Sequence, residues 1–489
     1  MKNIIVLGGG TAGLISAITL KKTFPDYSIK VIESDNIGII GVGEGSTEHW
    51  RRWVEYCGLD IRNLIRETDA ALKKGIKFEN WNGDGKSYFH SLGGLWYPYN
   101  QPVNENEFVK SLIISNIKTE DVLVDTNLID SKSGIFSVNQ FHFNTFKLNV
   151  YLHKVCEERG IEVTNDTISN VTLSPTGDVA SIVGENAEYF ADFFIDSSGF
   201  KRVIASAVGA KFISYKKYLP MNHALAFPTD DVSDLKPYTL SRALSSGWNW
   251  RISTQGRYGN GYVFCDDFID STKAHDEVQS FYTEQVNVAK DIRFEAGRVD
   301  KFWINNVVSV GLSASFVEPL EASSIGNSIL QAFGICEMLG DWVEDRSVCN
   351  KYNDTFTKCF DNIVDFVQLH YITKRKDTLF WQTLPEMMTQ TDFIKDHLEH
   401  FKRNMPSQHY FSGFYNMFNA PNWAQVMAGL DLYEKEHMKY NLINTHGKGI
   451  IENQLTEYDK YLSELETESW IEHKVLLSQN NIVVKIDRN

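Results

Sequence analysis

The first 33 residues combine two short apolar runs with a glycine-rich turn and a helical segment. Residues 3–7 form a continuous apolar run that ends in glycines, which predicts a buried strand. Residues 14–22 follow as a helix, and residues 28–32 form a second strand that ends at Glu33. Two apolar strands joined by a helix predict a βαβ unit of a parallel sheet.

The first turn of this unit carries the pattern G-x-G-x-x-G, formed by Gly8, Gly10 and Gly13. Gly8 allows a tight turn, Gly10 lets the backbone approach a pyrophosphate, and Gly13 lets the helix pack on its strand. The helix N-terminus favours phosphate, and Glu33 can accept hydrogen bonds from ribose hydroxyls. The unit therefore predicts a dinucleotide site, although these residues alone do not distinguish NAD from FAD.

Later segments return the chain to the same domain. Residues 189–195 and 307–311 are further buried strands followed by turn residues, at the edge where open α/β sheets bind ligands. Residues 243–264 alternate aromatic and polar positions between turns, which predicts an antiparallel sheet. We predict a discontinuous nucleotide-binding domain over residues 1–215 and 290–345, an inserted β-sheet over 216–289, and a helical C-terminal region over 346–489.

Composition narrows the class of protein and its partners. Hydrophobic residues make up 43% and charged residues 23% of the 489, and no apolar run reaches membrane-spanning length. The net charge of −15 disfavours nucleic acid and anionic lipid as partners. The N-terminal apolar run is too short for a secretory signal, and the six scattered cysteines form no C-x-x-C pair. We expect a cytoplasmic protein with reduced thiols and no metal site.

Six further motifs occur along most of the chain. They are GVGEGS at 41–46, IKFENW at 76–81, DSSGF at 196–200, GWNW at 247–250, GNGYV at 259–263 and SFVEPLE at 315–321. Together with the glycine-rich turn, they resemble the flavin-dependent halogenases, the tryptophan-halogenase-like family. The last motif is the most specific, and the resemblance weakens after about residue 435.

The resemblance implies an oxidoreductase with a glutathione-reductase-like, Rossmann-type FAD-binding domain and a helical C-terminal substrate region. In such enzymes a separate flavin reductase supplies reduced FAD, and O₂ and halide then give hypohalous acid, which halogenates a small aromatic substrate. The sequence leaves a homo-oligomer open. The positions that match the family's cofactor-binding residues are Gly8, Gly10, Thr11, Ala12, Gly13, Glu33, Ser34, Gly41, Val42, Gly45, Val171, Asp196, Leu312 and Ile325.

Two residues match the catalytic pair of the family. Lys73 matches the catalytic lysine and Glu321 its partner carboxylate, with Glu318 as the nearby alternative. An ammonium can hydrogen-bond hypohalous acid, an amine can form a haloamine, and the carboxylate can stabilise the arenium cation or take its proton. If this segment is one strand, Lys73 and Lys77 share a face, and the residues alone favour a solvated edge strand.

The chain departs from the family at the halide and substrate positions. Ser323 and Ser324 match the threonine and glycine that approach halide, and the added side chain of Ser324 predicts a preference for bromide or iodide. His90 matches a residue that contacts the aromatic ring. Leu92 replaces a usual phenylalanine, and Phe418 falls where a ring-sandwiching tryptophan occurs.

Gly413 aligns with the acidic residue that holds the ammonium of a free amino acid in tryptophan-specific members. Without that carboxylate, we predict a less specific site for electron-rich arenes such as indoles and phenols. Two alternatives stay open: an FAD-dependent aromatic monooxygenase, for which Lys73 is dispensable, and a non-catalytic flavin-binding protein. Retention of both Lys73 and Glu321 argues against the second alternative.

Overall fold

Strands and helices alternate through the first 345 residues of the computed structural model, and helices dominate after them. The structure describes residues 2–38, 44–91, 105–117, 128–130, 140–230, 235–413, 415–466 and 470–483. The strands are β1 (Asn3–Leu7), β2 (Ser28–Glu33), β3 (Glu44–Gly45), β4 (Ala71–Lys73), β5 (Gly75–Glu79), β6 (Ser87–Ser91), β7 (Leu128–Asp130), β8 (Gln140–Phe143), β9 (Glu162–Asn165), β10 (Ile168–Leu173), β11 (Val179–Gly184), β12 (Glu188–Tyr189), β13 (Phe193–Asp196), β14 (Phe212–Ser214), β15 (His223–Thr229), β16 (Tyr238–Ala243), β17 (Gly247–Ser253), β18 (Tyr258–Phe264), β19 (Lys290–Arg293), β20 (Gly297–Val299), β21 (Trp303–Ile304), β22 (Val307–Ser309), β23 (Ser315–Phe316) and β24 (Trp470–Glu472). The helices are α1 (Thr11–Thr23), α2 (His49–Cys57), α3 (Ile61–Glu67), α4 (Glu105–Ile114), α5 (Thr145–Glu158), α6 (Val203–Ala207), α7 (Ser271–Gln279), α8 (Ser323–Glu344), α9 (Val348–His370), α10 (Leu379–Met387), α11 (Asp392–Asn404), α12 (Ala420–Gly429), α13 (Lys435–His446), α14 (Ile450–Glu466) and α15 (His473–Val483).

A six-stranded sheet with the order β21-β22-β13-β1-β2-β9 forms the nucleotide-binding half. Its strands run parallel except for β21, which pairs antiparallel with β22. The apolar runs predicted as strands supply β1, β2, β13 and β22, and helix α1 packs against them with Leu14 and Ile18 buried. The predicted α/β, Rossmann-type class is confirmed. The carboxyl ends of β1, β13 and β22 meet at one edge of this sheet.

A seven-stranded sheet with the order β19-β15-β18-β17-β16-β5-β6 forms the second layer. It is antiparallel except where β5 runs parallel to β16, with Gly75 opposite Tyr238. The boundaries predicted for the insertion, 216–289, therefore omit three strands of this sheet: β5, β6 and β19. The omission has a physical reason, because β5 and β16 pair across a long sequence separation that no local pattern records.

The segment around Lys73 forms two strands, so the interpretation of it as a single strand does not hold. Strand β4 pairs with β8, and strand β5 pairs with β6 and β16. The chain changes sheets at Lys74, whose backbone N–H donates to the carbonyl oxygen of Pro237. Lys73 is consequently buried while Lys77 remains partly exposed, so the two lysines do not share a face.

Helices α8 and α9 pack against each other and join the two halves. Helix α8 also contacts α1, and helix α12 packs on β6. The C-terminal region is helical, as predicted, except for β24, which pairs antiparallel with β7. Among the described residues, the helices all fall short of the length and apolarity that a membrane span requires.

Candidate active site

A cavity of about 840 Å³ opens at the carboxyl edge of the parallel sheet and extends to the second sheet. The glycine-rich turn, the end of β2, the turns after β13 and β22, and the start of α8 line it. Ten of the predicted cofactor residues line this cavity: Gly8, Gly10, Thr11, Ala12, Gly13, Glu33, Ser34, Gly45, Leu312 and Ile325. Gly41 and Val42 lie outside the described residues.

The glycine-rich turn fits a pyrophosphate. Gly8 has a φ of +116°, and a Cβ there would stand 2.3 Å from the carbonyl oxygen of Ser197. A Cβ on Gly13 would stand 2.0 Å from the carbonyl oxygen of Gly8, so α1 lies directly on the turn. The space around Gly10 is open within 4 Å of its Cβ position. The N-terminus of α1 is therefore accessible to an anion.

Glu33 occupies the position expected for a ribose acceptor and has a partner that the sequence did not indicate. Nε2 of His153, on α5, donates to the two carboxylate oxygens of Glu33 at 2.9 and 3.0 Å. The hydrogen bond to Glu33 raises the pKa of His153 above its ordinary value, and the bond to the carbonyl oxygen of Asn149 adds to this effect. Glu33 and His153 are thus hydrogen-bonded to each other at this part of the cavity.

Two predicted cofactor residues, Val171 and Asp196, are not among the residues that line the cavity, and their role in binding the cofactor stays a prediction. Asp196 is buried, and its Oδ2 accepts from the backbone N–H groups of Ile204 and Ala205, each at 2.8 Å, at the start of α6. It shapes the turn after β13, which itself lines the cavity. Val171 lies on β10 and packs against a separate apolar cluster, and the nearest described lining residues in sequence are residues 166–168.

Lys73 is 1% exposed and is not itself among the residues that line the cavity, but it lies next to Gly45, which does line it. Its Nζ donates to the carbonyl oxygen of Ser46 at 3.2 Å. A Cβ on Gly45 would stand 3.3 Å from that Nζ, so Gly45 allows the ammonium to approach the cavity wall. Burial lowers the pKa of Lys73 to about 8, although the charges of Glu321 and Glu48 oppose this effect.

Glu321 lies in a short helical turn, Leu320–Ala322, immediately before α8. Its φ is +68° and that of Ala322 is +51°, and two successive non-glycine residues in the left-handed region mark a strained segment. Nδ1 of His90 lies 2.8 Å from Oε2, and Nε2 of His370 lies 2.9 Å from Oε1. Burial by itself raises the pKa of Glu321, but the two histidines reverse this effect and lower it to about 2.

The lysine and the carboxylate are therefore close enough to interact electrostatically without forming the direct pair that the resemblance implied. Each contributes to the electrostatic environment of the site, since the charge of Glu321 raises the pKa of Lys73. Among the described residues, the hydrogen-bonding partners of the Glu321 carboxylate are His90 and His370. The sequence contained no signal for His370, which lies 49 residues away on α9.

Glu318, the nearby alternative, occupies a different environment. Its Oε1 accepts from Nε1 of Trp248 at 3.0 Å and from the hydroxyl of Tyr371. Burial raises the pKa of Glu318 to about 7, and these two donors only partly oppose that effect. Glu318 thus joins β17 to the end of α9 inside the core, whereas Glu321 lines the cavity.

Two of the predicted substrate residues come close together behind Glu321. His90 is buried on β6, and its ring lies 5.4 Å from the ring of Phe366. Phe418 stacks on Phe366 with ring centroids 4.1 Å apart. Leu92 lies outside the described residues. A Cβ on Gly413 would stand 2.2 Å from Oδ1 of Asn416, so this position has no room for an acidic side chain without rearrangement.

Ser323 and Ser324 lie at the first turn of α8, on the cavity wall. Ser323 is buried and Ser324 is exposed to the cavity. The N-terminus of this 22-residue helix carries partial positive charge, which favours an anion at this end of the cavity. The site therefore combines a dinucleotide cradle, an anion-favouring helix end, a buried lysine and a buried carboxylate.

Comparison with known proteins agrees with these features. The family model for tryptophan halogenase matches residues 3–443. The chain is 28% identical over 466 residues to the tryptophan 6-halogenase of Streptomyces toxytricini, covering 87% of this chain and 88% of that protein. It is 27% identical over 474 residues to the tryptophan 7-halogenase of Lentzea aerocolonigenes, covering 88% and 89%.

Solved structures show the same fold. A tryptophan halogenase from Shewanella frigidimarina superposes with a TM-score of 0.87 at 24% identity, covering 98% of this chain and 97% of that one. A flavin-dependent halogenase from Xanthomonas campestris gives the same TM-score and identity, covering 98% of each chain. The chain belongs to the tryptophan halogenase family, whose enzymes are flavin-dependent halogenases that work with a separate flavin reductase.

Proposed function

We propose that the enzyme halogenates an electron-rich aromatic ring of the indole or phenol type, with Lys73 directing the halogen and Glu321 receiving the ring proton. The observation that carries this proposal is the burial of both groups beside the cavity that the glycine-rich turn lines. Lys73 is 1% and Glu321 2% exposed. Burial of ionisable groups costs folding free energy. Two such groups beside a cofactor cavity therefore indicate a chemical role.

The residues of the cavity are suited to hold FAD. The N-terminus of α1 would face the pyrophosphate across Gly10, and Glu33 would accept from the ribose hydroxyls. Bound reduced FAD, together with O₂, supplies the oxidising equivalents that turn halide into hypohalous acid. The wall formed by Gly45 and the segment 321–324 would separate this chemistry from the aromatic substrate.

The two catalytic residues have complementary proton states. With a pKa of about 8, Lys73 is mostly an ammonium at neutral pH and donates a hydrogen bond to hypohalous acid. The same pKa leaves a minor amine fraction that can form a haloamine. With a pKa of about 2, Glu321 is ionised, so it stabilises the arenium cation and takes its ring proton.

We propose that Ser323 and Ser324 hold the halide at the N-terminus of α8, with bromide or iodide preferred over chloride. A glycine at position 324 would let a small halide approach the backbone closely. The side chain of Ser324 would prevent this close approach, which disfavours chloride relative to the larger ions. Equimolar chloride, bromide and iodide in one reaction, with products read by mass, test this preference. A clear excess of chlorinated product would contradict it.

The substrate proposal rests on position 413. The relatives above are named for tryptophan, but Gly413 packs against Asn416 and provides no carboxylate for an amino-acid ammonium. We therefore propose a substrate without a free amino-acid group. Indole and a phenol should be turned over with higher kcat/KM than free tryptophan.

The decisive experiment incubates the protein with FAD, a flavin reductase, NADH, air and indole, with each halide in parallel. A halide-dependent mass shift that is lost in Lys73→Ala supports the proposal. Oxygen added without any need for halide would instead indicate the aromatic monooxygenase. Flavin binding with no product from any arene would indicate a flavin-binding protein without this chemistry.

A further inference from the structure

His370 holds Glu321 with an unusual set of partners. The ring is buried at the last residue of α9, among the rings of Phe78, Trp81 and Phe366. Its Nδ1 lies 2.9 Å from the backbone carbonyl oxygen of Phe366, and its Nε2 lies 2.9 Å from Oε1 of Glu321. Both ring nitrogens therefore face oxygen atoms.

The chemistry of these oxygens fixes the protons on the ring. A backbone carbonyl can only accept, so Nδ1 must carry a hydrogen. An ionised carboxylate can also only accept, so Nε2 must carry a second hydrogen. If Glu321 is ionised, this hydrogen-bond pattern requires an imidazolium at His370, and the two residues then form a buried ion pair.

His90 contacts the same carboxylate but differs in charge. Its Nε2 lies 3.1 Å from Nδ2 of Asn422. The orientation of that amide is fixed, because Oδ1 of Asn422 accepts from the backbone N–H of Asn419 at 2.8 Å. Nδ2 therefore donates to His90, whose Nε2 has no hydrogen. His90 is a neutral ring that donates only through Nδ1, to Glu321.

We propose that His370 is a charged positioning residue, whose imidazolium keeps Glu321 ionised and fixed in direction, while neutral His90 supplies the second donor. This inference rests on the proposed function, because it assigns the counter-ion of the proposed proton acceptor. Among the described residues, Lys73, from β4, and Tyr88, from β6, also interact electrostatically with Glu321. His370 differs from both in bonding directly to the carboxylate.

The pairing of Glu321 with His370 also affects Lys73. A carboxylate that already has an imidazolium partner forms a pair with no net charge, which attracts Lys73 less than an isolated carboxylate would. Burial then controls the proton affinity of the lysine. The geometry thus explains how an ammonium and a carboxylate can lie in one site while the lysine still approaches neutrality near pH 8.

A spectroscopic experiment tests the charge without any turnover. The intact protein, labelled with ¹⁵N only in its 13 histidines, is observed by NMR between pH 6 and 9, and His370→Gln assigns the signal. Two protonated ring nitrogens on His370 at pH 7, with one on His90, are expected. A neutral His370 protonated only at Nδ1 would overturn the proposal, whatever the enzyme's substrate proves to be.

Kinetics of three variants test the positioning role. His370→Phe removes the donor and the charge, His370→Gln keeps a neutral donor at the matching place, and His400→Gln is an exposed control. We expect kcat to fall about 100-fold in His370→Phe, which is in the range typical of lost proton-transfer catalysis. KM should remain nearly unchanged. The acid limb of its pH profile should move to higher pH, because Glu321 loses a cationic partner.

His370→Gln should recover part of the lost kcat, and His400→Gln should match the wild type. Thermal melting and titration of bound flavin fluorescence establish that each variant is folded. Folded His370→Phe with wild-type kcat and an unshifted acid limb would overturn the proposal. If no variant, including the wild type, makes halogenated product, the proposed function fails while the NMR result still decides the charge of His370.

Discussion

Replacing Lys73 with methionine should make the protein more stable while it abolishes halogenation. The lysine is buried, and its pKa falls from 10.5 to about 8. Since each pKa unit corresponds to about 1.4 kcal/mol, burial of the ammonium costs roughly 3 kcal/mol at neutral pH. The variant also loses the hydrogen bond to Ser46, which reduces the expected gain in stability by about 1 kcal/mol. We expect Lys73→Met to raise the free energy of unfolding by about 2 kcal/mol.

The sign of the pH dependence follows from the direction of the pKa shift. Below about pH 8 the lysine is protonated in both the folded and the unfolded state, so the whole cost is present. Between about pH 8 and 10.5 the folded state loses its proton while the unfolded state keeps it, and the cost diminishes. The stabilisation by Lys73→Met should therefore be full at pH 7 and shrink as the pH rises towards 10.

Urea unfolding at pH 7 and pH 10, with halogenation assayed in parallel, checks both statements. Lys77→Met is the matched control, because the Lys77 side chain is 29% exposed and ion-paired only loosely with Glu79, at 3.8 Å. Its stability should change by less than about 0.5 kcal/mol, as for most surface substitutions. A Lys73→Met protein that is less stable than wild type at pH 7, or equally stabilised at both pH values, would refute the reasoning.

Three further changes test other parts of the site. Glu321→Gln should lower kcat about 100-fold or more in the halogenation assay, because a neutral amide takes no ring proton; unchanged kcat would contradict its role. His473→Leu removes the acceptor of the Leu72 N–H, 2.9 Å away, and should cost about 1–3 kcal/mol in urea unfolding. Glu33→Gln should weaken FAD binding in fluorescence titrations, since the ribose acceptor loses its charge; unaltered affinity would exclude it as that acceptor.

Local sequence predicted the parts of the site that local geometry determines. The turn from Gly8 to Gly13 and the acidic residue at the end of β2 lie in one βαβ unit, where spacing alone fixes their relative positions. The family motif likewise located Glu321 beside α8. Within such a unit, long-range contacts change the relative positions of residues little, and these residues do line the cavity.

The remaining parts depend on where distant segments meet. His370 reaches Glu321 from α9, and His473 reaches the backbone beside Lys73 across 401 residues of sequence. The pattern predicts Asp196 at the end of a buried strand, but it does not predict that its carboxylate accepts hydrogen bonds from the backbone amides of α6. Local sequence also does not predict the burial of Lys73. The chain changes sheets at the next residue because β4 pairs with β8 and β5 pairs with β16, and both partner strands are distant in sequence.

The strained backbone at Glu321 and the histidines that bind it explain each other. Left-handed conformations at residues 321 and 322 cost about 1–3 kcal/mol each, so contacts with the surrounding structure must stabilise this segment. Hydrogen bonds to a charged carboxylate contribute about 1.5–3 kcal/mol each, which is of the same size. His90 and His370 supply two such bonds from two different elements, β6 and α9. The left-handed conformation lets one segment begin α8 at the cavity wall while His90 and His370 hold its carboxylate in place.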